Sequence, residues 1–172
     1  MVRVKHRYIL FDILYPPSIS SNEQESYDFT SSQQRSLLTL HQSSSPEITQ
    51  KTILQGIRKS LYVHFGDIGS GSAGMLMSVR YFSNTTSTGI IRCDRDQVST
   101  IVAAMSLITR LNANEPDVIM RCLHISGTIK KCEEFSIRSS RELMNKLGQA
   151  RAKEMNDFLQ EVGELSEDEE EE

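Results

Sequence analysis

Apolar residues along this chain follow two periods, one typical of strands and one typical of helices. An almost continuous apolar run at residues 8–14 predicts a strand that is buried on both faces. Further on, Met77, Val79 and Tyr81 alternate with Ser78 and Arg80, which predicts a second strand. Apolar residues that recur every three or four positions predict helices over residues 46–65, 95–111 and about 132–163.

A polar hairpin occupies the middle of the chain, at residues 80–97. It combines a hydroxyl-rich turn at residues 83–89 with a third strand at residues 90–93 and a helix start at Asp94. Residues 118–126 then predict a fourth strand. The resulting order of strand, helix, strand, strand, helix, strand predicts a ferredoxin-like, RRM-like α/β sandwich with an antiparallel sheet. We expect the hairpin to form an inner pair of strands in that sheet.

Two segments have a composition that does not suit a folded core. Residues 16–45 carry ten serines and few apolar residues, so a partly disordered insertion with a short helix near residues 33–41 is expected. Residues 161–172 contain eight of the 23 acidic residues and no basic one, which is typical of a disordered tail. The remaining 15 acidic residues are outnumbered by the 19 basic residues. We therefore expect one mildly basic domain over residues 1–160, and a tail that either solubilises the chain or binds basic partners.

Catalytic and metal-binding residues do not form a recognisable set in this sequence. Cys93, Cys122 and Cys132 lack the spacing of a zinc site, and the histidines are scattered. The glycine-rich segment 66–74 lacks the Lys-Ser/Thr ending of a phosphate-binding loop and precedes a strand, so a flexible connection is expected there. No apolar run approaches the roughly 18 residues of a membrane span. We therefore expect no active site, no metal site and no membrane span.

Basic residues concentrate in places that strands and turns would expose. Arginine, lysine and hydroxyl groups in such clusters suit a phosphate backbone, although solvated surface charge explains each cluster taken alone. Because the third strand has no aromatic residue, base stacking on the sheet face is not expected, and contacts would be made mainly to phosphate and sugar. The clusters are Arg3, Lys5 and Arg7 in the leading segment, Arg80 and Arg92 beside the turn, and Lys130 and Lys131 after the fourth strand.

Three motifs give the chain a resemblance to a known family. Residues 1–13 read Met-Val-Arg-Val-Lys-His-Arg-Tyr-Ile-Leu-Phe-Asp-Ile, residues 81–93 read Tyr-Phe-Ser-Asn-Thr-Thr-Ser-Thr-Gly-Ile-Ile-Arg-Cys, and residues 125–131 read Ile-Ser-Gly-Thr-Ile-Lys-Lys. They resemble the Pop-five family of protein subunits of ribonuclease P and ribonuclease MRP. The serine-rich insertion and the acidic tail resemble those of its yeast-type members. The chain departs little from the motifs, with Val4 where many relatives have leucine.

The resemblance implies a non-catalytic protein subunit of an RNA-based endonuclease. Such a subunit has an RRM-like fold, pairs with a TIM-barrel-like partner subunit and sits, among other subunits, on the catalytic domain of ribonuclease P RNA or ribonuclease MRP RNA. The particles process the 5′ end of precursor tRNA and precursor rRNA, in the nucleus and nucleolus. Magnesium ions on the RNA do the chemistry, so the protein itself needs no cofactor. The resemblance and the charges together predict RNA contacts at Arg3, Lys5, Arg7, Tyr8, Arg80, Ser83, Asn84, Thr85, Thr88, Arg92, Lys130 and Lys131.

Two other functions stay open from the residues alone. A protein-interaction module of the same fold would leave the basic residues solvated and make no direct RNA contact. A small enzyme that uses the glycine-rich segment would need a catalytic set that the sequence does not show. Ribonuclease treatment of the native complex separates the interaction module from an RNA-binding subunit, because only an RNA-dependent complex loses its size.

Overall fold

The computed structural model describes residues 5–17, 27, 29–112 and 116–168, with side chains through residue 149. Its strands are β1 (His6–Leu14), β2 (Ser78–Ser83), β3 (Thr88–Asp94) and β4 (Ile119–Ser126). Its helices are α1 (Gln33–Leu40), α2 (Gln50–Gly74), α3 (Val98–Ser106), which follows a 3-10 turn at Arg95–Gln97, and α4 (Ile129–Asp168). The helix α1 lies where a short helix was predicted within the serine-rich insertion.

β1 lies between β3 and β4 in an antiparallel four-stranded sheet with the order β2-β3-β1-β4. This is the strand order of a ferredoxin-like βαββαβ unit, so the predicted fold class is confirmed. The prediction that both hairpin strands are inner strands is wrong for β2, which lies at the edge of the sheet. The inner positions belong to β1 and β3, the strands with the most buried residues, because a central strand has neighbours on both sides and both faces covered.

The two faces of the sheet are covered by different helices. Ile9, Phe11 and Ile13 of β1 pack on one face with α2 and α3, where the main core lies. On the opposite face α4 packs against β4 and β1, and Cys132 of α4 is buried there with Leu10. We call this second surface the α4 face. Burial on both sides of β1 confirms the prediction from its continuous apolar run.

The register of β2 against β3 shifts by one residue at Arg80. Tyr81 is therefore opposite Ile90, on the α4 face, and not on the same face as Val79, with which it shares the alternating pattern in the sequence. A one-residue bulge moves every following side chain to the other face, which explains the change of face. Phe82 takes the core position instead and stacks on Phe11, with ring centroids 6.3 Å apart.

The helix α2 begins at Gln50, later than the predicted start at the Ser-Pro-Glu sequence. Its N-cap is Thr49, whose hydroxyl accepts from the Thr52 backbone N–H (3.2 Å). The Thr52 hydroxyl in turn accepts from the Thr49 N–H (3.4 Å), which completes a capping box. The Ser-Pro-Glu sequence forms a turn in which Ser45 Oγ accepts from the Glu47 N–H (3.3 Å).

The glycine-rich segment is helical, so the flexible connection predicted there is wrong. Gly66 kinks α2 with φ 65°, a conformation that glycine adopts without strain. Beyond the kink the chain returns alongside the first part of the helix, where Arg58 Nη2 donates to the Gly74 carbonyl oxygen (3.2 Å). Small residues permit this packing, since a Cβ on Gly69 would lie 2.4 Å from Phe65 Cβ.

The helices of the second half also differ from their predicted bounds. α3 ends at Ser106, before the predicted residue 111, and the chain then reverses toward β4. α4 begins before the predicted residue 132 and reaches into the acidic run, whose residues 169–172 lie outside the described part. Lys130 and Lys131 therefore lie in its first turn. No helix within the described ranges combines the length and the hydropathy of a membrane span.

Candidate nucleic-acid interface

The residues predicted to contact RNA lie at two opposite ends of the sheet. His6 and Asp12 lie about 20 Å apart along β1. Asp12 pairs with Thr88 of β3, beside the hydroxyl-rich turn. Most of the predicted cations lie at the His6 end, and the hydroxyl-rich turn lies at the Asp12 end. Arg80 lies between them, exposed on the edge strand β2. The predicted contact Arg3 lies outside the described residues.

Cations from several elements meet where β1 begins and β3 and β4 end. The antiparallel pairing brings the start of β1 beside the end of β3 and the end of β4, and α4 starts directly after β4. The 3-10 turn adds an arginine that was not among the predicted contacts. We call this surface the basic end, and it consists of Lys5, Arg7, Arg92, Arg95, Lys130 and Lys131.

Contacts within the basic end join its segments. The Lys5 carbonyl oxygen accepts from the Arg95 N–H (3.0 Å), which ties the leading segment to the 3-10 turn. Arg7 Nη1 donates to the His6 carbonyl oxygen (3.2 Å). The same nitrogen lies 3.6 Å from the position that a Cβ on Gly127 would occupy, so Arg7 reaches the connection between β4 and α4.

Tyr8 and Arg92 form a cross-strand pair on the α4 face. Tyr8 is half-buried and packs against the cluster around Leu10, and its carbonyl oxygen accepts from the Cys132 thiol (3.8 Å). The tyrosine is thus partly engaged in the protein's own packing. The half-buried Arg92 makes no salt bridge within the described part of the chain.

The electrostatics of the basic end favour an anion. Within the described residues, the salt bridges lie in the α3–β4 connection and between β1 and β4, away from these cations. Four acids adjoin these six cations, namely Asp94, Asp96, Glu133 and Glu134, and none of them forms a salt bridge within the described residues. Asp94 Oδ1 accepts from the Arg95 backbone N–H (2.7 Å). The cations outnumber these acids, and guanidinium and ammonium groups that form no salt bridge can bind phosphate oxygens with little reorganisation.

At the opposite end, hydrogen bonds tie the β2–β3 turn to the segment before α2. The Asn84 side-chain nitrogen donates to the carbonyl oxygens of Ser45 (2.7 Å) and Ile48 (2.9 Å). These bonds use both of its hydrogens. Thr88 Oγ1 shares a hydrogen bond with Thr86 Oγ1 (2.7 Å). The other predicted contacts in this turn are the half-buried Ser83 and the exposed Thr85.

A chain of hydroxyl groups beside this turn was missed in the sequence. Tyr15 Oη donates to Ser44 Oγ (2.8 Å), which donates to Ser87 Oγ (2.9 Å). Ser87 Oγ donates in turn to the Gln42 carbonyl oxygen (2.6 Å). Ser87 is 1% exposed and has φ 51°, a left-handed conformation that is uncommon for serine. No sequence pattern signals such a network, because its members are far apart along the chain.

An ion pair between β1 and β4, in which the carboxylate is buried, was also missed. Arg121 Nε and Nη2 donate to Asp12 Oδ1 (3.1 Å) and Oδ2 (2.5 Å), and the Asp12 side chain is 6% exposed. The hydrogen bond to Asp12 is the main reason that the pKa of Arg121 is raised. A single acid within an apolar strand was the available signal, since a buried carboxylate needs a cationic partner.

Groups that could carry catalysis are not assembled in the described structure. Burial, with a smaller contribution from Asp94, raises the pKa of Cys93 to about 11, and burial also raises the pKa values of Cys122 and Cys132. Among the described residues no three His, Cys, Asp or Glu side chains could hold a metal ion. A cavity of about 470 Å³ beside Tyr15 has no carboxylate, histidine or cysteine among its described lining residues.

Comparison with known proteins agrees with the sequence motifs. The model of the Rpp14/Pop5 family matches residues 7–137. The chain is 40% identical to the ribonuclease P/MRP protein subunit POP5 of Saccharomyces cerevisiae over 161 residues, which covers 92% of this chain and 90% of that protein. It is 38% identical to the protein of the same name in Schizosaccharomyces pombe over 146 residues, which covers 84% of this chain and 93% of that protein.

A structural comparison adds less. A chain in the cryo-EM structure of yeast ribonuclease MRP superposes with a TM-score of 0.44 and 13% identity, over 82% of this chain and 98% of that chain. Such a score is too low to support a structural argument. The family assignment therefore rests on sequence similarity, and it confirms the resemblance that the motifs indicated. By its match to the family model and its identity to two yeast relatives over most of its length, the chain belongs to the Rpp14/Pop5 family.

Proposed function

We propose that this chain is a protein subunit of ribonuclease P and ribonuclease MRP and that it binds their RNA through the basic end. Two observations support the proposal. Its relatives carry the name of ribonuclease P/MRP subunits. The fold also gathers cations from β1, β3, the 3-10 turn and α4 on one surface, and none of them forms a salt bridge with a described residue. The second observation carries the RNA-binding part of the proposal.

The role of the chain in this proposal is to bind and position RNA. The cations of the basic end neutralise phosphates of the folded catalytic domain of the RNA. A rigid sheet and a helix start fix the spacing of these cations, which suits the recognition of a folded RNA by its shape. Magnesium ions on the RNA supply the chemistry of cleavage. The residues of this chain hold the RNA near precursor tRNA or precursor rRNA, in the nucleus and nucleolus.

A protein partner has a candidate surface of its own. Where α2 folds back, six apolar side chains are each more than one-third exposed. Soluble monomers rarely expose large groups of neighbouring apolar side chains. In the proposed particle this surface serves a neighbouring subunit such as the TIM-barrel-like partner. The exposed residues are Tyr62, Val63, Phe65, Ile68, Met75 and Leu76. The same observation favours the second candidate function, a protein-interaction module without RNA contact.

Purification of the tagged full-length chain from its own cells, followed by sequencing of the bound RNA, tests the proposal. We expect ribonuclease P RNA and ribonuclease MRP RNA to dominate. Digestion of the complex with ribonuclease should then reduce its size and release subunits. A complex that contains no RNA, or that keeps its composition after digestion, would support the interaction module and contradict RNA binding.

A further inference from the structure

Tyr81 is an exposed aromatic side chain on the α4 face of the sheet. The bulge at Arg80 places Tyr81 on this face, where it pairs with Ile90. Ile90 is 5% exposed and belongs to the cluster beneath α4, whereas Tyr81 is 54% exposed. α4 packs against β1 and β4, so the ring of Tyr81 projects beyond the part of the sheet that the helix covers.

Cations surround this tyrosine. Arg92 is two residues from Ile90 on β3, which makes it a diagonal neighbour of Tyr81 at about 7 to 8 Å. Arg80 is the bulged residue next to Tyr81 and is exposed at the edge of the sheet. Neither arginine forms a salt bridge with a described residue. The acid on the same face of β3 is Asp94, which caps the 3-10 turn.

An aromatic ring between cations that lack acidic partners suits a nucleotide of single-stranded RNA. The ring offers a stacking surface for any base, and the guanidinium groups offer donors for the adjoining phosphates. A protein segment would cover the ring equally well, but it would need acidic groups to match the two arginines. Double-stranded RNA offers no base for the ring to stack on, because its bases are already stacked and paired.

We propose that Tyr81 stacks on an unpaired base of the bound RNA, with Arg80 and Arg92 holding the phosphates beside that base. This proposal rests on the proposed function, because it takes for granted that the chain binds RNA. It also revises the expectation that the sheet face takes no part in base stacking. That expectation considered β3, whereas the exposed ring is on β2.

Chemical probing of unpaired bases in the purified particle tests the proposal with the variants Tyr81→Leu and Tyr81→Phe. Leucine keeps an apolar side chain on the strand but removes the ring, and phenylalanine keeps the ring. We expect one or a few bases to become about fivefold more reactive in the leucine variant, which corresponds to the weak end of base–aromatic stacking. The phenylalanine variant should match the original chain. Tyr27→Leu is the matched control, since Tyr27 is 71% exposed in the segment before α1 and lies outside the sheet.

Ultraviolet cross-linking of the unchanged chain in its particle gives a second readout that does not depend on a variant. The peptide that contains Tyr81 should carry a nucleotide adduct. Normal RNA content with unchanged base reactivity in Tyr81→Leu would overturn the stacking proposal and leave the proposed function standing. A cross-link from Tyr81 to another protein would overturn it in the same way. Absence of RNA from the unchanged complex would instead overturn the proposed function, and the stacking proposal with it.

Discussion

Asn84 shows how a single side chain can join two segments that are distant in sequence. It lies in the β2–β3 turn, and its side chain donates to Ser45 and Ile48, which precede α2. Its backbone carbonyl oxygen accepts from the Ser44 N–H (2.8 Å), so the same residue is held from both sides. The prediction of an RNA contact rested on residue type, and the structure shows that both side-chain N–H donors of Asn84 are used within the protein.

The variant Asn84→Ala should destabilise the protein by about 1 to 3 kcal/mol, because it leaves two carbonyl oxygens without their donor. Thr85→Ala, at an exposed neighbouring position, is the control and should change stability by no more than about 0.5 kcal/mol. Denaturation by urea, followed by circular dichroism, measures both. Equal midpoints for the two variants would show that the Asn84 hydrogen bonds contribute nothing net.

Cys93 gives a prediction for alkaline pH. Burial raises its pKa from 9.0 to about 11 in the folded protein, so the unfolded chain loses this proton first as the pH rises. The stabilisation from the neutral thiol is therefore complete below pH 9 and is lost between about pH 9 and 11. The difference in unfolding free energy between the original chain and Cys93→Ala should fall by up to about 1.4 kcal/mol per pH unit across that range. Urea titrations at several pH values measure this difference in unfolding free energy. A difference that stays constant with pH would contradict the raised pKa of Cys93.

At the scale of an element, the glycine-rich end of α2 depends on close packing. The helix kinks at Gly66 and folds back, and its glycines are not equivalent. A Cβ on Gly69 would overlap Phe65, whereas nothing lies within 4 Å of a Cβ on Gly71. Composition cannot separate these positions, because both are glycines in the same run of small residues.

The variants Gly69→Ala and Gly71→Ala should therefore change stability in opposite directions. Gly69→Ala forces the helix and Phe65 apart and should cost about 1 to 3 kcal/mol. Gly71→Ala should stabilise the protein by up to about 1 kcal/mol, because alanine is the better helix former and meets open space. Thermal unfolding measures both variants. A destabilising Gly71→Ala would mean that this end of α2 is not helical.

At the scale of the whole molecule, the basic end is a product of topology. β1 and α4 are separated by more than a hundred residues in the chain, yet the sheet places Lys5, Arg7 and the first turn of α4 on one surface. The acidic run at the C-terminus hides this feature in the net charge of −4. Electrostatic attraction to RNA depends on the local surface, so the net charge is a poor guide to the partner.

Neutralising Lys130 and Lys131 together, as Lys130→Gln and Lys131→Gln, should weaken RNA binding and reduce its salt dependence. If each lysine contacts one phosphate, the slope of log affinity against log salt should become shallower by about 1 to 2 units. The control is the pair Lys51→Gln and Lys59→Gln, which removes the same charge from exposed positions on α2. Filter binding of the protein complex to its RNA over a range of salt concentrations measures the slopes. Equal slopes for the two pairs would remove the first turn of α4 from the interface.

Much of the fold could be predicted because it follows from local patterns. The continuous apolar run specified β1 as a central strand, and the helical periods specified the core-facing sides of α2 and α3. Helix bounds were less predictable: the capping box at Thr49 and the folded-back end at Gly66 depend on contacts that form only in the helix itself. Of the candidate site, the sequence identified the cations but could not show which of them share a surface.

The sequence by itself determined the order of the strands and core helices, the central position of β1 and the membership of the Rpp14/Pop5 family, since each is carried by local patterns or short motifs. The tertiary structure decided what depends on register and distant contacts. The bulge at Arg80 places Tyr81 on the α4 face. The side chain of Asn84 donates to residues that lie 39 and 36 positions earlier in the chain. Periodicity describes neighbours along the chain, whereas the partners of a side chain are fixed only when strands and helices have come together.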